Sequence, residues 1–172
     1  VNSTVSGNSA WQGGSGVAAT GQYYGVDDYA GDAVVNLNGT TVVDNATTGT
    51  NEASAQRAQV FAGISDTALI TMDHSVAWNG TSNDTDVGTQ PESASTGTSI
   101  SVSYSLAGSY NAGPGTVSQD SDSSSLEGMD PMLGGLADNG GFTQTHLPAF
   151  GSELVNGGSS SGLDALSLNE ED

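Results

Sequence analysis

Met72-Asp-His-Ser-Val-Ala-Trp-Asn79 is the stretch that predicts the fold, because three other segments of the chain repeat its pattern. Each of the four segments has an apolar residue, a short polar run and then Val or Leu, and three of them have an Asn three residues later. The other segments are Val1–Asn8, Leu37–Asn45 and Val102–Ser109. A pattern that returns every few tens of residues is typical of a solenoid, in which one unit stacks on the next.

The central Val or Leu of each segment gives the spacing of the repeat. Val5, Val42, Val76 and Leu106 are separated by 37, 34 and 30 residues. A short half-polar strand cannot bury its apolar side chains alone, so the next coil, about 4.8 Å away, must cover them. We therefore predict an all-β fold, a parallel β-helix (solenoid) of about four to five coils, nearly without helix. The four side chains are expected in one internal column.

Two further patterns refine this prediction. Ser99–Leu106 alternates with period two, which indicates a strand with one buried face. Gly39 adds one residue to the second segment, so we expect a bulge or corner there. His74 matches Ser3 and Tyr104 by position and is interpreted as a packed or corner side chain.

An Asn near the end of each strand suggests a second column. Asn tolerates left-handed backbone geometry, and its amide can hydrogen-bond to the Asn of the next coil. We expect Asn8, Asn45 and Asn79 to form such a ladder, which Ser109 interrupts. The alternative is that Asn is simply common in the turns of a polar secreted protein.

The charge of the chain limits its partners. Twenty Asp and Glu residues stand against one basic residue, Arg57, for a formal net charge of −19. Nucleic acids and anionic membrane surfaces are excluded, because both are bound through Lys and Arg. No run approaches the ~20 apolar residues of a membrane span. Such an acidic chain repels itself unless salt screens it, so we expect a secreted or cell-surface protein of a saline medium.

Two loops contain candidate binding residues. Residues 21–32 hold three of the five Tyr and three Asp between glycines, and aromatic and acidic side chains on one loop can bind carbohydrate, which makes this loop a candidate contact surface. The alternative is that these tyrosines cover the flank of a coil. Asp120, Asp122 and Glu127 bring carboxylates together within eight residues, as a calcium loop does, but without the full EF-hand spacing and its central Gly. Calcium is the one cofactor that the sequence suggests, with those three residues as ligands.

One stretch near the end of the chain resembles a known family. It reads Asp130-Pro-Met-Leu-Gly-Gly-Leu-Ala-Asp-Asn-Gly-Gly-Phe-Thr-Gln-Thr-His146, followed by Gly151-Ser and Asn156-Gly157. This resembles the segment that closes the β-helix in bacterial surface proteins called choice-of-anchor Q proteins, which are similar to the polymorphic outer-membrane repeat proteins. Residues 2–8 resemble the coils of that family.

The resemblance implies a right-handed parallel β-helix that is secreted or surface-anchored, without a defined activity. His146 is then expected to be a structural hydrogen-bonding residue of the closing motif. Phe142 and Glu153 depart from the family, which usually has Pro at both positions.

We expect three regions: coils over 1–128, a closing segment over 129–157 and an acidic Gly/Ser-rich tail over 158–172. Val1 lies inside a predicted strand, and Asp172 precedes the last strand of the family. Open strand edges at both ends predict a homo-oligomer or filament. The alternative is a trimmed piece of a longer chain whose missing coils cap the ends.

An enzyme is the rival interpretation, as a polysaccharide hydrolase or lyase. A lyase needs cations to neutralise a uronate, and the chain offers only Arg57. A hydrolase needs converging carboxylates, for which Asp27, Asp28 and Asp32 are candidates without a supporting motif. Only His74 and His146 are available for a serine or metal mechanism. We therefore predict no catalytic residues and a non-enzymatic, structural or adhesive extracellular protein.

Overall fold

The structure is a computed structural model. It describes residues 3–11, 14–20, 22–23, 29–49, 58–63, 67–80, 85–90, 97–119 and 125–158. Every regular element in these ranges is a β-strand, which confirms the prediction of an all-β chain. Accordingly, no helix long and apolar enough to cross a membrane occurs in the described residues.

The strands are short and follow one another closely along the chain. In the first half they are β1 (Ser3–Ser6), β2 (Ser9–Ala10), β3 (Val17–Thr20), β4 (Gln22–Tyr23), β5 (Tyr29–Ala30), β6 (Asp32–Asn38), β7 (Thr40–Val43), β8 (Ala46–Thr47) and β9 (Val60–Gly63). In the second half they are β10 (Thr67–Asp73), β11 (Val76–Trp78), β12 (Val87–Gln90), β13 (Gly97–Ser103), β14 (Leu106–Ala107), β15 (Tyr110–Asn111), β16 (Thr116–Gln119), β17 (Leu126–Glu127), β18 (Leu133–Ala137) and β19 (Thr145–Pro148).

Three larger sheets contain most of these strands, and all their pairings are parallel. The first sheet has the order β1-β7-β11-β14-β17, the second β6-β10-β13-β16 and the third β3-β9-β12-β15. The chain therefore visits the second, first and third sheets in turn, and each new strand lies beside its predecessor in the same sheet. We refer to these three sheets together as the stack.

The second sheet shows why the sequence folds this way. Its strands alternate between exposed and buried residues, as the period-two pattern of the sequence requires. Val35, Ile70 and Ile100 are paired neighbours on three successive strands, and all three are buried. Each strand thus covers the apolar side chains of the one before it, and the core lies between the three sheets.

The predicted column of four apolar residues is wrong at one step. Val5 pairs with Val42, and Val76 pairs with Leu106, as expected. Val42, however, pairs with Ala77, and Val76 pairs with Thr41. Since consecutive residues of a strand point to opposite faces, Val42 belongs to the inner face of the first sheet, whereas Val76 and Leu106 belong to the outer face.

The error comes from treating Gly39 as an added residue. Gly39, His74 and Tyr104 each follow paired residues of the second sheet and occupy the same corner, with φ values of 54°, 46° and 46°. The corner interpretation of His74 is confirmed and its match to Tyr104 holds. Ser3 pairs with Thr40, one residue beyond that corner.

The predicted Asn ladder exists for one step only. The Asn8 side-chain amide donates to Asn45 Oδ1 at 2.9 Å, and the Asn8 backbone N–H donates to the same atom at 3.0 Å. Asn79 follows Trp78, which pairs with Val43, so Asn79 lies level with Asp44 rather than with Asn45. The one-residue difference in register therefore ends the ladder.

Asn45 instead joins a buried amide network that the sequence did not suggest. Its amide nitrogen donates to Val5 O at 3.0 Å and to Gln59 Oε1 at 2.9 Å. The Gln59 amide nitrogen donates to Asn45 O at 2.6 Å and to Ser15 Oγ at 3.3 Å. Both amide side chains are fully buried. Because buried amides are costly unless they are bonded, this network fixes the junction between the first and third sheets.

A second polar column consists of buried hydroxyls just after the corner. The Thr40 N–H donates to Ser75 Oγ at 3.1 Å, and the Ser75 N–H donates to Ser105 Oγ at 3.0 Å. Each serine hydroxyl in turn donates to the backbone carbonyl two residues earlier, Asp73 O or Ser103 O. The serine hydroxyls therefore bond backbone N–H groups at the corner, where the regular hydrogen bonding between strands is interrupted.

Candidate functional site

The outer face of the first sheet is covered by the closing segment (residues 129–157), and a cavity of about 340 Å³ lies between them. The floor of the cavity is one outward-facing column of the first sheet, with Val76, Leu106 and Leu126 in paired positions. The closing segment contributes Leu133, Pro148 and Leu154 to the opposite wall. The cavity is therefore mainly apolar.

A hairpin of β18 and β19 forms the body of the closing segment. The two strands pair antiparallel, with a register irregularity between Leu133 and Leu136. Its turn is closed by Asn139, whose amide donates to Thr145 O at 2.9 Å. Beyond the hairpin, Ser152 is buried and donates to Pro131 O at 2.7 Å. This hydrogen bond connects the two ends of the closing segment.

His146 fastens the hairpin to the stack. It lies in β19, only 8% of it is exposed, and it lines the cavity. Its Nδ1 lies 2.8 Å from Gly134 O, and its Nε2 lies 2.8 Å from Ser6 Oγ on β1. Since the closing segment follows β17 at one end of the first sheet and reaches β1 at the other, it crosses the whole sheet.

Polar side chains lie at the opposite edge of the cavity. His74 and Tyr104 stack at the corner, with ring centroids 5.0 Å apart and an interplanar angle of 24°. His74 Nδ1 lies 2.8 Å from Asp73 Oδ1. Glu153 also lines the cavity. This edge therefore combines aromatic surface with negative charge.

The calcium prediction is only partly within the described structure. Asp120 and Asp122 lie outside the described residues. Glu127 is exposed on β17, where the Gln119 amide donates to its carboxylate at 3.4 Å. Within the described ranges, no three His, Asp or Glu residues gather as metal ligands. Calcium binding through Asp120, Asp122 and Glu127 stays a prediction.

The Tyr- and Asp-rich loop is described only at its edges. β4 and β5 pair antiparallel, with Tyr23 opposite Tyr29. Asp32 is exposed at the start of β6, while Asp27 and Asp28 lie outside the described residues. The carbohydrate contact predicted for residues 21–32 stays a prediction.

The cavity and the contact between Ser6 and His146 were missed from the sequence. The two residues are 140 positions apart, so no local pattern links them. One signal was available: the outward-facing column contains Val76, Leu106 and Leu126, which is apolar for a face in contact with water. An apolar outer column indicates that another part of the chain covers that face.

No family model, curated protein or solved structure matches the chain.

Proposed function

We propose that the chain is a non-enzymatic structural or adhesive protein of a prokaryotic cell surface, built as a right-handed parallel β-helix. The observation that carries this proposal is the order of the three parallel sheets, in which strands of successive passes lie side by side in chain order. Solenoids of this kind present long, regular surfaces and grow by adding units. The resemblance of residues 130–146 to the closing segment of choice-of-anchor Q proteins supports the surface location.

We further propose that copies stack end to end as a filament or matrix. Val117 on β16 is 41% exposed, although its paired neighbour Ile100 is fully buried. At the other end, Val5 and Val17 are only partly buried, whereas their partners Val42 and Val60 are fully buried. Another copy would cover these residues and continue the parallel pairing.

Assembly can be tested by light scattering and negative-stain imaging over a range of protein and salt concentrations. We expect elongated particles at molar salt, where repulsion between chains of charge −19 is screened. Val117→Asp should abolish them, because it places a charge in the proposed contact. Val155→Asp, at an exposed site on the closing segment, should leave them intact. Particles that stay monomeric under all conditions would refute assembly.

The enzyme interpretation has its own test. The protein is incubated with a panel of neutral and acidic polysaccharides, with and without calcium, and the products are separated by chromatography. We expect no shortened chains and no unsaturated ends. Depolymerisation of any one polysaccharide would replace the structural proposal with that of a carbohydrate-active β-helix enzyme.

A further inference from the structure

Ser6, His146 and Gly134 form a hydrogen-bonded series beside the cavity, which His146 lines. The Ser6 hydroxyl lies 2.8 Å from one ring nitrogen of His146, and Gly134 O lies 2.8 Å from the other. Nucleophile, base and a group that orients the base are the three parts of an activated hydroxyl. The stack supplies the first part and the hairpin supplies the other two.

The carbonyl of Gly134 determines the protonation of the ring. A carbonyl oxygen only accepts hydrogen bonds, so Nδ1 of His146 must carry a proton. In the neutral imidazole Nε2 is then unprotonated and accepts the Ser6 hydroxyl proton. This is the tautomer that a general base requires. The antiparallel pairing of His146 with Leu136 fixes the backbone that carries the ring.

We propose that Ser6 is an acyl-accepting nucleophile, with His146 as its general base and Gly134 O as the group that orients the base. This inference goes beyond the structural role and does not depend on filament assembly. The reaction is the formation of a covalent ester on the protein, a step that needs no turnover.

The surroundings indicate the class of acyl donor. His146 also lines the apolar cavity, whose floor on the two strands next to β1 is formed by Thr41 and Val76. A short alkyl chain on the donor can lie there. The net charge of −19 repels anionic donors such as acyl phosphates. The donor class is therefore a neutral ester with an apolar acyl group.

The proposed step balances without any further reactant. Ser6 Oγ forms a bond to the ester carbonyl carbon, and its proton moves to His146 Nε2. The bond between that carbon and the leaving oxygen then breaks, and the proton passes from Nε2 to the leaving alkoxide. An alcohol is released, and Ser6 carries the acyl group.

The first test uses p-nitrophenyl butyrate on the full chain, with release of p-nitrophenol followed by absorbance and the adduct located by peptide mass spectrometry. The chain has no Lys and no Cys, so few other nucleophiles compete. We expect butyrylation of Ser6 and its loss in Ser6→Ala. His146→Gln should slow it by about a hundredfold, as the loss of a general base does. Ser3→Ala on the same strand is the matched control that should react like the unaltered protein.

A second test remains informative if His146→Gln disturbs the hairpin. Ser6→Cys introduces the sole thiol of the chain, and its reaction with iodoacetamide is compared with that of Ser3→Cys. A neighbouring His favours the thiolate, so S6C should react about tenfold faster than S3C at neutral pH. Circular dichroism shows whether each variant is folded.

Each outcome decides the proposal. Butyrylation of Ser6 that depends on His146, together with a faster S6C thiol, supports it, whether or not the ester is later hydrolysed. Absence of acyl Ser6 in the unaltered protein overturns it and leaves the contact between Ser6 and His146 as a tether. S6C and S3C thiols that react equally fast overturn the role of His146 as a base.

Discussion

The stack and the closing segment differ in how far their apolar side chains are buried. In the stack, Phe61 is fully buried, whereas Phe142 and Phe150 in the closing segment are fully exposed. Of the ten large apolar side chains that are exposed among the described residues, seven lie in the closing segment. The two regions are therefore stabilised by different interactions.

This difference has a physical origin. Each strand of the stack has a parallel neighbour that covers its apolar side chains. The buried apolar surface therefore increases with every strand that is added. Among the described residues, the hairpin of β18 and β19 has no third strand, and two-stranded hairpins are marginal on their own. The contact of His146 with Ser6 is a polar contact that joins the hairpin to the stack. Substitutions in the two regions should therefore have very different consequences.

The largest contrast is expected for a matched pair of phenylalanines. Phe61→Ala removes a fully buried ring and should lower the free energy of unfolding by about 3 to 5 kcal/mol. Phe150→Ala removes an exposed ring and should change it by less than about 0.5 kcal/mol. Urea unfolding followed by circular dichroism measures both. Similar losses would mean that Phe150 is buried in solution.

The amides give the next contrast. Asn45→Ala leaves Val5 O and the Asn8 N–H without the side-chain amide that bonds them, although the backbone N–H of residue 45 still donates to Gln59 Oε1, and should cost about 2 to 3 kcal/mol. Asn139→Ala removes exposed hydrogen bonds within the hairpin turn and should cost less than about 1 kcal/mol. The same urea titration applies. A small effect of Asn45→Ala would show that water replaces the amide network.

A pair of buried serines tests whether the two regions unfold together. Ser75→Ala removes the acceptor of the Thr40 N–H and should lower global stability by about 1 kcal/mol. Ser152→Ala removes the bond to Pro131 O, so we expect it to speed hydrogen exchange only in the closing segment. Hydrogen exchange measured by mass spectrometry separates the two. Faster exchange throughout the stack in Ser152→Ala would contradict local opening.

Salt should have the most general effect, because it acts on both regions alike. With a net charge of −19, screening relieves repulsion throughout the chain, and we expect the melting temperature to rise by several degrees, equivalent to about 1 kcal/mol. Scanning calorimetry from low to molar sodium chloride measures this. A parallel series in tetramethylammonium chloride separates screening from binding of a specific cation. A flat or falling curve would contradict the prediction.

Local periodicity predicted the strands well, because each strand needs only its own alternation to be recognised. Leu37, Met72 and Val102, the first apolar residues of three repeated segments, are paired neighbours in the second sheet. The register of the first sheet was harder to predict. The apolar pattern favours pairing Val42 with Val76, whereas the structure pairs Thr41 with Val76. Only the pairing of Thr41 with Val76 places Gly39 and His74 at the same corner position of successive strands.

The candidate site was not predictable in the same way. The floor of the cavity follows from the stack, but the wall comes from a segment that folds back across it. Such a contact depends on the three-dimensional path of the chain and leaves no periodic signal. His146 was expected to be a structural hydrogen-bonding residue, and its bonds to Ser6 and Gly134 agree with that expectation. Its partners could not be identified from the sequence.

The path of the closing segment has a mechanical consequence. Tension along the axis of the stack would separate neighbouring strands one at a time, since the rows of backbone hydrogen bonds lie in series. The closing segment extends from β17 to Ser6, across all five strands of the first sheet. It therefore carries part of the tension alongside the hydrogen bonds between those strands. While the contact between His146 and Ser6 holds, no single gap between strands of the first sheet can widen freely. Under such tension the protein would resist extension until the closing segment detaches and would then yield abruptly.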